Sequence, residues 1–183
     1  MRAASVSDRI AREAGRALGV SAGVEAEKAR AFGRLVHRLL ELTALRPIPE
    51  DSVLVAMAVA LGPSFGLEPE AAGRSAGHVA RALSLPLMSR ARSAERAWRE
   101  LPFWLPETDE LIEGIVDLVF EEEGQLVVVD YKTDAITAEQ AVDQAAHHAP
   151  QLRLYGRGLT LALGIPVRER LVLFTALGEA IAV

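Results

Sequence analysis

Ile112-Glu-Gly-Ile-Val-Asp117-Leu-Val-Phe120, then Glu121-Glu-Glu-Gly124, then Gln125-Leu-Val-Val-Val-Asp130-Tyr-Lys132 is the stretch from which the fold is read. Two apolar runs joined by an acidic loop ending in glycine predict a β-hairpin. In the first run the even positions are apolar or small, so Glu113 and Asp117 share the other face. In the second, Asp130 and Lys132 share a face, roughly 6.5–7 Å apart along the strand. Register decides whether the acids of the two strands meet. A loop over 122–125 sets Asp117 directly opposite Asp130. A loop over 121–124 sets them diagonal on one face, and a loop longer by one residue puts them on opposite faces. Directly opposed carboxylates lie within about 5 Å and repel. Such a pair needs a cation or a shared proton between them. Oxygen ligands in a chain without cysteine select a hard ion, Mg²⁺ or Mn²⁺. Lys132, on the same face, can then orient or help deprotonate an attacking water.

Working outward, residues 1–24 are rich in Ala, Gly and Ser and read as a weak helix or a tether. Glu25 to Leu45 carries Phe32, Leu35, Val36, Leu39, Leu40 and Leu42 at helical spacing, ended by Arg46-Pro47. Residues 50–61 and 68–83 read as two more helices, split by Gly62-Pro63, and 87–97 as a short one. Trp98 to Leu105 reads as an edge or bulged strand because Pro102 interrupts it. After the hairpin, Thr137-Ala-Glu-Gln140 is a capping box opening a helix to about His148. Pro150 starts the next helix, which runs to Leu163 before Gly164-Ile-Pro166 stops it. Val167 to Ala176 and Glu179 to Val183 form a closing hairpin. Helices followed by strands, a helix and more strands imply an α+β or α/β domain with a mixed sheet.

Composition excludes more than it assigns. The chain has 183 residues, enough for one domain with a real core, here drawn at 25–183 with a helical insertion at about 47–97. A net charge of −5 gives no polybasic surface, and the absence of cysteine excludes disulfide scaffolds, zinc ribbons and iron–sulfur clusters. That absence fits the cytosol. The longest apolar run, Val53 to Gly62, is too short to span a bilayer, and no phosphate-binding loop for ATP is present. Of the 20 basic residues only Lys28 and Lys132 are lysine, so a lysine at the end of the hairpin is a marked choice.

Gly114-Ile-Val-Asp117 followed by Asp130-Tyr-Lys132-Thr-Asp134 resembles the PD-(D/E)xK nuclease superfamily, in particular the domains that end RecB- and AddA-type helicase–nucleases. Gly33-Arg-Leu-Val-His37, Arg99-Glu100-Leu-Pro-Phe103 and Gln151-Leu-Arg-Leu-Tyr155 are similar to three further motifs of that group, in the same order. The resemblance covers about residues 30 to 160. It implies a restriction-endonuclease-like core, a central mixed sheet flanked by helices. It implies Mg²⁺ or Mn²⁺ held by His37, Asp117, Asp130 and the Tyr131 carbonyl, with Lys132, Asp117 and Asp130 catalytic. Gln151 and Tyr155, one turn apart on a helix, then support Lys132 or contact DNA. Glu100 supports the site from a neighbouring strand. Gly33 leaves room beside His37 for metal or DNA, and Glu41 is placed to hydrogen-bond the other ring nitrogen of His37.

The resemblance implies a bacterial, cytoplasmic domain that hydrolyses phosphodiester bonds in double-strand-break repair or recombination. Its substrate is single-stranded DNA delivered by helicase domains of the same protein or of a partner. Two other readings stand beside it: a non-catalytic module on the same fold that binds DNA or a partner, and a stand-alone structure-specific nuclease. Adjacent His147 and His148 diverge on a helix and cannot chelate one ion together. His78 stands alone, Glu121 to Glu123 read as a solvated tip, and Arg153 and Arg157 lie off the Gln151/Tyr155 face.

Overall fold

The structure, a computed structural model, describes residues 2–13 and 23–183. Six strands, β1 (Arg2–Ser5), β2 (Ala97–Pro106), β3 (Glu110–Glu122), β4 (Gln125–Lys132), β5 (Val167–Phe174) and β6 (Glu179–Ala182), form one mixed sheet. The helices are α1 (Val6–Glu13), α2 (Val24–Leu42), α3 (Asp51–Leu61), α4 (Pro69–Ser84), α5 (Pro86–Ser93) and α6 (Ala138–Leu163). The layers are those expected: a central mixed sheet with α2 to α5 on one face and α6, with α1, on the other. Leu35, Leu39 and Leu40 of α2 pack with Leu118, Phe120, Val127 and Val129, while Tyr155 and Leu159 of α6 pack with Val119, Leu126 and Val128.

The hairpin closes through Glu123-Gly124, both at positive φ (52° and 72°), which are the angles of a two-residue turn matched to strand twist. Glu121 pairs with Leu126 and Leu118 with Val129, so Asp117 is next in register opposite Asp130. The wider loop expected at 122–125 is shorter by one pair, Glu122 with Gln125, at the same register. Nor is the acidic tip merely solvated. Arg90 bridges Glu122 (2.6 Å) and Glu169 (2.8 Å), and Arg168 meets Glu123 at 2.7 Å.

Two further expectations give way. Residues 2–5 are a strand rather than a tether, parallel to β3, because Ala4 and Val6 have an apolar place to bury. Ser5 then accepts the Asp8 N–H (3.1 Å) and caps α1. Met1 and residues 14–22 of that expected segment lie outside the described residues. The helices expected on either side of Pro150 are one helix, α6, with its capping box formed. Proline removes one hydrogen bond to the preceding turn. Burial of Ala141 and Ala145 before it and of Leu152, Tyr155 and Leu159 after it carries the helix through.

β2 runs along one edge of β3. The other edge is shared, by β1 at residues 110–113 and by β4 at 118–122, which leaves a gap around Asp117. The β2 ladder breaks at the same level. Arg99 pairs with Leu118 and Leu101 with Val116, but the Glu100/Asp117 pair between them is absent, and Glu100 has φ 49°. A side chain at positive φ is uncommon, and such outliers gather at functional sites. Alternation slips there too: Ile112 and Val116 pack toward α6, whereas Leu118 and Phe120 pack toward α2.

Gly158 of α6 sits against this sheet so closely that an added Cβ meets Phe103 Cδ2 at 2.2 Å. Gly158→Ala gains about 1 kcal/mol of helix propensity. Overpacking a filled core costs about 1–3 kcal/mol. Net destabilisation is therefore expected, a fall of a few degrees in thermal midpoint measured by calorimetry.

Candidate functional site

Three elements converge at the gap. His37 from α2 donates Nδ1–H to Asp117 Oδ1 (3.0 Å), and Asp117 Oδ2 accepts the N–H of Tyr131 (2.5 Å). The side chain of Asp117 thus takes the main-chain donor at the point where β3 and β4 part. With Glu100, His37 and Asp117 form a group whose ligand atoms all lie within 4.8 Å of one another. Asp117 is 7% exposed, while His37 and Glu100 are half-buried. His37 and Glu100 open on a cleft of about 380 Å³ that Arg34 and Arg38 also line.

On the other side of Tyr131, the Asp130 carboxylate is 2% exposed. Lys132 Nζ lies 2.7 Å from its Oδ2. Gln151 Nε2 donates to Asp130 Oδ1 (3.2 Å) and to the Tyr155 hydroxyl (2.5 Å), and Gln151 Oε1 faces Lys132 Nζ at 3.5 Å. The one-turn spacing of Gln151 and Tyr155 on α6 is what lets a single amide tie them both to the strand end. The structure therefore sorts the expected residues into two neighbouring sets. His37 and Asp117 stand with Glu100, while Asp130, Lys132, Gln151 and Tyr155 form a chain of their own.

Electrostatics follow from that crowding. Burial and the charge of Asp117 push Glu100 up to about 7, against the pull of His37. Burial alone pulls His37 down, but the hydrogen bond and charge of Asp117, with Glu100 and Asp130 beyond, carry it above its ordinary value. Burial raises Asp130, Lys132 draws it back, and Asp117 raises it again. Two carboxylates and an imidazole in this arrangement are the donor set of a hard divalent cation, whose charge relieves their repulsion.

The signs of those shifts set a pH dependence. Glu100, His37 and Asp130 all titrate higher folded than unfolded, so each stabilises the fold at low pH and that stabilisation is lost as pH rises through the folded value. In chelator, the thermal midpoint is expected to fall from about pH 5 to about pH 8. Added Mg²⁺ is expected to raise it more at pH 8 than at pH 5. A midpoint that climbs over that range in chelator contradicts the raised acidities.

Some supporting contacts differ from expectation. Glu41 pairs with Arg38 (2.6 Å), not with His37, because the i,i+3 spacing on α2 brings Arg38 to it first. Gly33 makes room for Thr133 rather than for metal or DNA: a Cβ there meets Thr133 Oγ1 at 3.0 Å. His78 is not alone. The Thr175 hydroxyl donates to the Lys132 carbonyl (3.2 Å) and accepts from His78 Nδ1 (3.0 Å), which buttresses the lysine's backbone. His148 is pushed down to about 4 by burial and by Lys132, so it is neutral near pH 7. Arg157 is paired with Glu107 (2.9 Å) and Arg153 is exposed, both away from the site.

The PD-(D/E)XK nuclease superfamily profile matches residues 12–172. Curated relatives are named as ATP-dependent helicase/nuclease subunits of the AddA type. That of Desulforudis audaxviator is 30% identical over 166 residues, 82% of this chain and 14% of the relative. That of Desulforamulus reducens is 27% identical over 157 residues, 76% of this chain and 12% of the relative. That of Clostridium acetobutylicum is 32% identical over 113 residues, 54% of this chain and 9% of the relative. The chain thus spans only a small part of the length of these relatives. No described helix is long and apolar enough to cross a membrane.

Proposed function

The chain belongs to the PD-(D/E)XK nuclease superfamily, and from that footing we propose that it is the nuclease domain of an AddA-like helicase–nuclease. It hydrolyses phosphodiester bonds in single-stranded DNA that helicase domains deliver, in the bacterial cytoplasm, during repair or recombination at broken ends. The observation that carries this reading is the convergence of His37, Glu100 and Asp117 beside the Asp130–Lys132 pair. His37, Glu100 and Asp117 would hold Mg²⁺ or Mn²⁺, with Asp130 and the Tyr131 carbonyl completing the set. Such an ion supplies positive charge against the phosphate and acidifies water.

The chain's own residues do the positioning. Asp117 holds His37 by Nδ1–H, which leaves Nε2 of the neutral ring as its free donor of a lone pair. Gln151 fixes Asp130, and Asp130 holds the Lys132 ammonium at the strand end, where it donates to the attacking water and to a phosphate oxygen. Arg34 and Arg38 at the cleft mouth favour an anionic chain over a neutral one.

The reading is tested with end-labelled single-stranded and duplex oligonucleotides in Mg²⁺, Mn²⁺, Ca²⁺ and chelator. Cleavage of single strands is expected with Mg²⁺ and Mn²⁺, slow in this domain because no motor feeds it. Ca²⁺ is expected to bind with little turnover. Cleavage that persists in chelator rules out the metal mechanism.

A further inference from the structure

Two rows of residues step away from the acidic cluster along β2 and β3. From Glu100 they run to Pro102 and Trp104, and from Asp117 to Ile115 and Glu113, with Pro102 paired to Ile115 and Trp104 to Glu113. Each step is about 7 Å. Trp104 is 56% exposed and Ile115 is 53% exposed, a large apolar pair facing solvent beside a polar site. They border a cleft of about 490 Å³ whose floor includes Gly114. That floor is bare by necessity, since a Cβ on Gly114 meets Phe103 at 2.7 Å and Val6 at 2.9 Å. Tyr155 lines the same cleft and is joined through Gln151 to Asp130, so the cleft is continuous with the site.

We infer that this shelf, Trp104 with Ile115 and Pro102, stacks an unpaired base of the DNA strand whose phosphate lies at the His37/Glu100/Asp117 cluster. The inference deepens the nuclease reading and rests on it for the placement of the phosphate. A base fits where a phosphate does not. Glu113, paired across from Trp104, repels an anion, but its carboxylate accepts hydrogen bonds from exocyclic amino groups. An indole face and a flat aliphatic neighbour stack any base and require it to be unpaired. The shelf therefore selects single strands over duplex, where the bases are stacked on each other.

The test uses the whole chain carrying Trp98→Phe, which leaves Trp104 as its single tryptophan. In Ca²⁺ buffer, titration with oligo-dT is expected to quench Trp104 emission, and a mixed-sequence duplex of equal length is not. By anisotropy of a labelled oligo-dT, Trp104→Ala is expected to weaken binding about tenfold or more, with Trp104→Phe within about threefold of wild type. Equal quenching by duplex, or a Trp104→Ala affinity within about twofold of wild type, overturns the shelf and leaves the patch to a protein partner. Hydrolysis of bis(4-nitrophenyl) phosphate by the wild-type chain, a substrate without a base, reads the chemistry separately. Quenching without hydrolysis supports the shelf and sinks the nuclease reading. Hydrolysis without quenching does the reverse.

Discussion

Lys132→Ala is expected to slow DNA cleavage by ~10²–10³, the effect of losing one preorganised donor at a developing charge. The Lys132 ammonium is 2.7 Å from a carboxylate that is itself 2% exposed, with Gln151 beside both. It is held before substrate arrives and costs no reorganisation during the reaction. The loss also leaves Asp130 without its cation. A buried carboxylate in that position protonates rather than staying charged, so the fold survives. The stability cost is expected to be greatest at high pH, where keeping the proton is hardest. Lys28→Ala is the control, because Lys28 only pairs with exposed Glu25 at 3.0 Å. Such a surface pair contributes under about 1 kcal/mol. Cleavage rate and thermal midpoint are measured together for the three proteins. A Lys132→Ala chain that cuts within about threefold of wild type removes the lysine from the mechanism.

Asp117→Asn is expected to weaken Mn²⁺ binding by ~10²-fold or more, since removing even a ligand's outer partner costs about 10–100-fold. Cleavage is expected to fall at least as far as in Lys132→Ala. The asparagine oxygen can still accept the Tyr131 N–H, so the gap between β3 and β4 keeps its link. Its amide group, however, faces His37 Nδ1 as a donor. The ring then carries its proton on Nε2, the nitrogen needed for an ion. Loss of the negative charge also lets Glu100 drop from about 7 toward its ordinary value. Because like charges no longer crowd the site, the thermal midpoint in chelator at pH 8 is expected to hold or rise. Calorimetric titration with Mn²⁺ and a melting curve make the check. Mn²⁺ affinity within about threefold of wild type would falsify the role of Asp117.

Much of the fold is legible in sequence because it is local. The capping box at Thr137 and the helical spacing of Leu35, Val36, Leu39 and Leu40 concern neighbours in the chain, and both elements form as the pattern predicts. The hairpin carries its faces in alternating side chains, and one of the registers they allow opposes Asp117 to Asp130, as the strands do. The turn is tighter than the acidic run suggests. Glu123 sits at positive φ, a conformation that glycine or asparagine would signal and glutamate does not.

The rest depends on contacts between distant residues, which no local pattern encodes. Pro150 is a strong stop signal, yet α6 continues because both of its halves find the same sheet. β1 is four residues long, too short to announce itself, and exists only because β3 offers an edge. Glu100 reads in sequence as no more than a support from a neighbouring strand. It stands with His37 and Asp117 because the β2–β3 register skips one pair where the backbone turns to φ 49°. His37 and Asp117 are 80 residues apart and meet only because α2 packs over the point where two strands separate. Residue types that can bind a hard cation, and the hairpin that carries two of the acids, are written into the chain order. Which acid stands beside the histidine and which beside the lysine is not, because strand register and helix packing across the whole sheet make that choice.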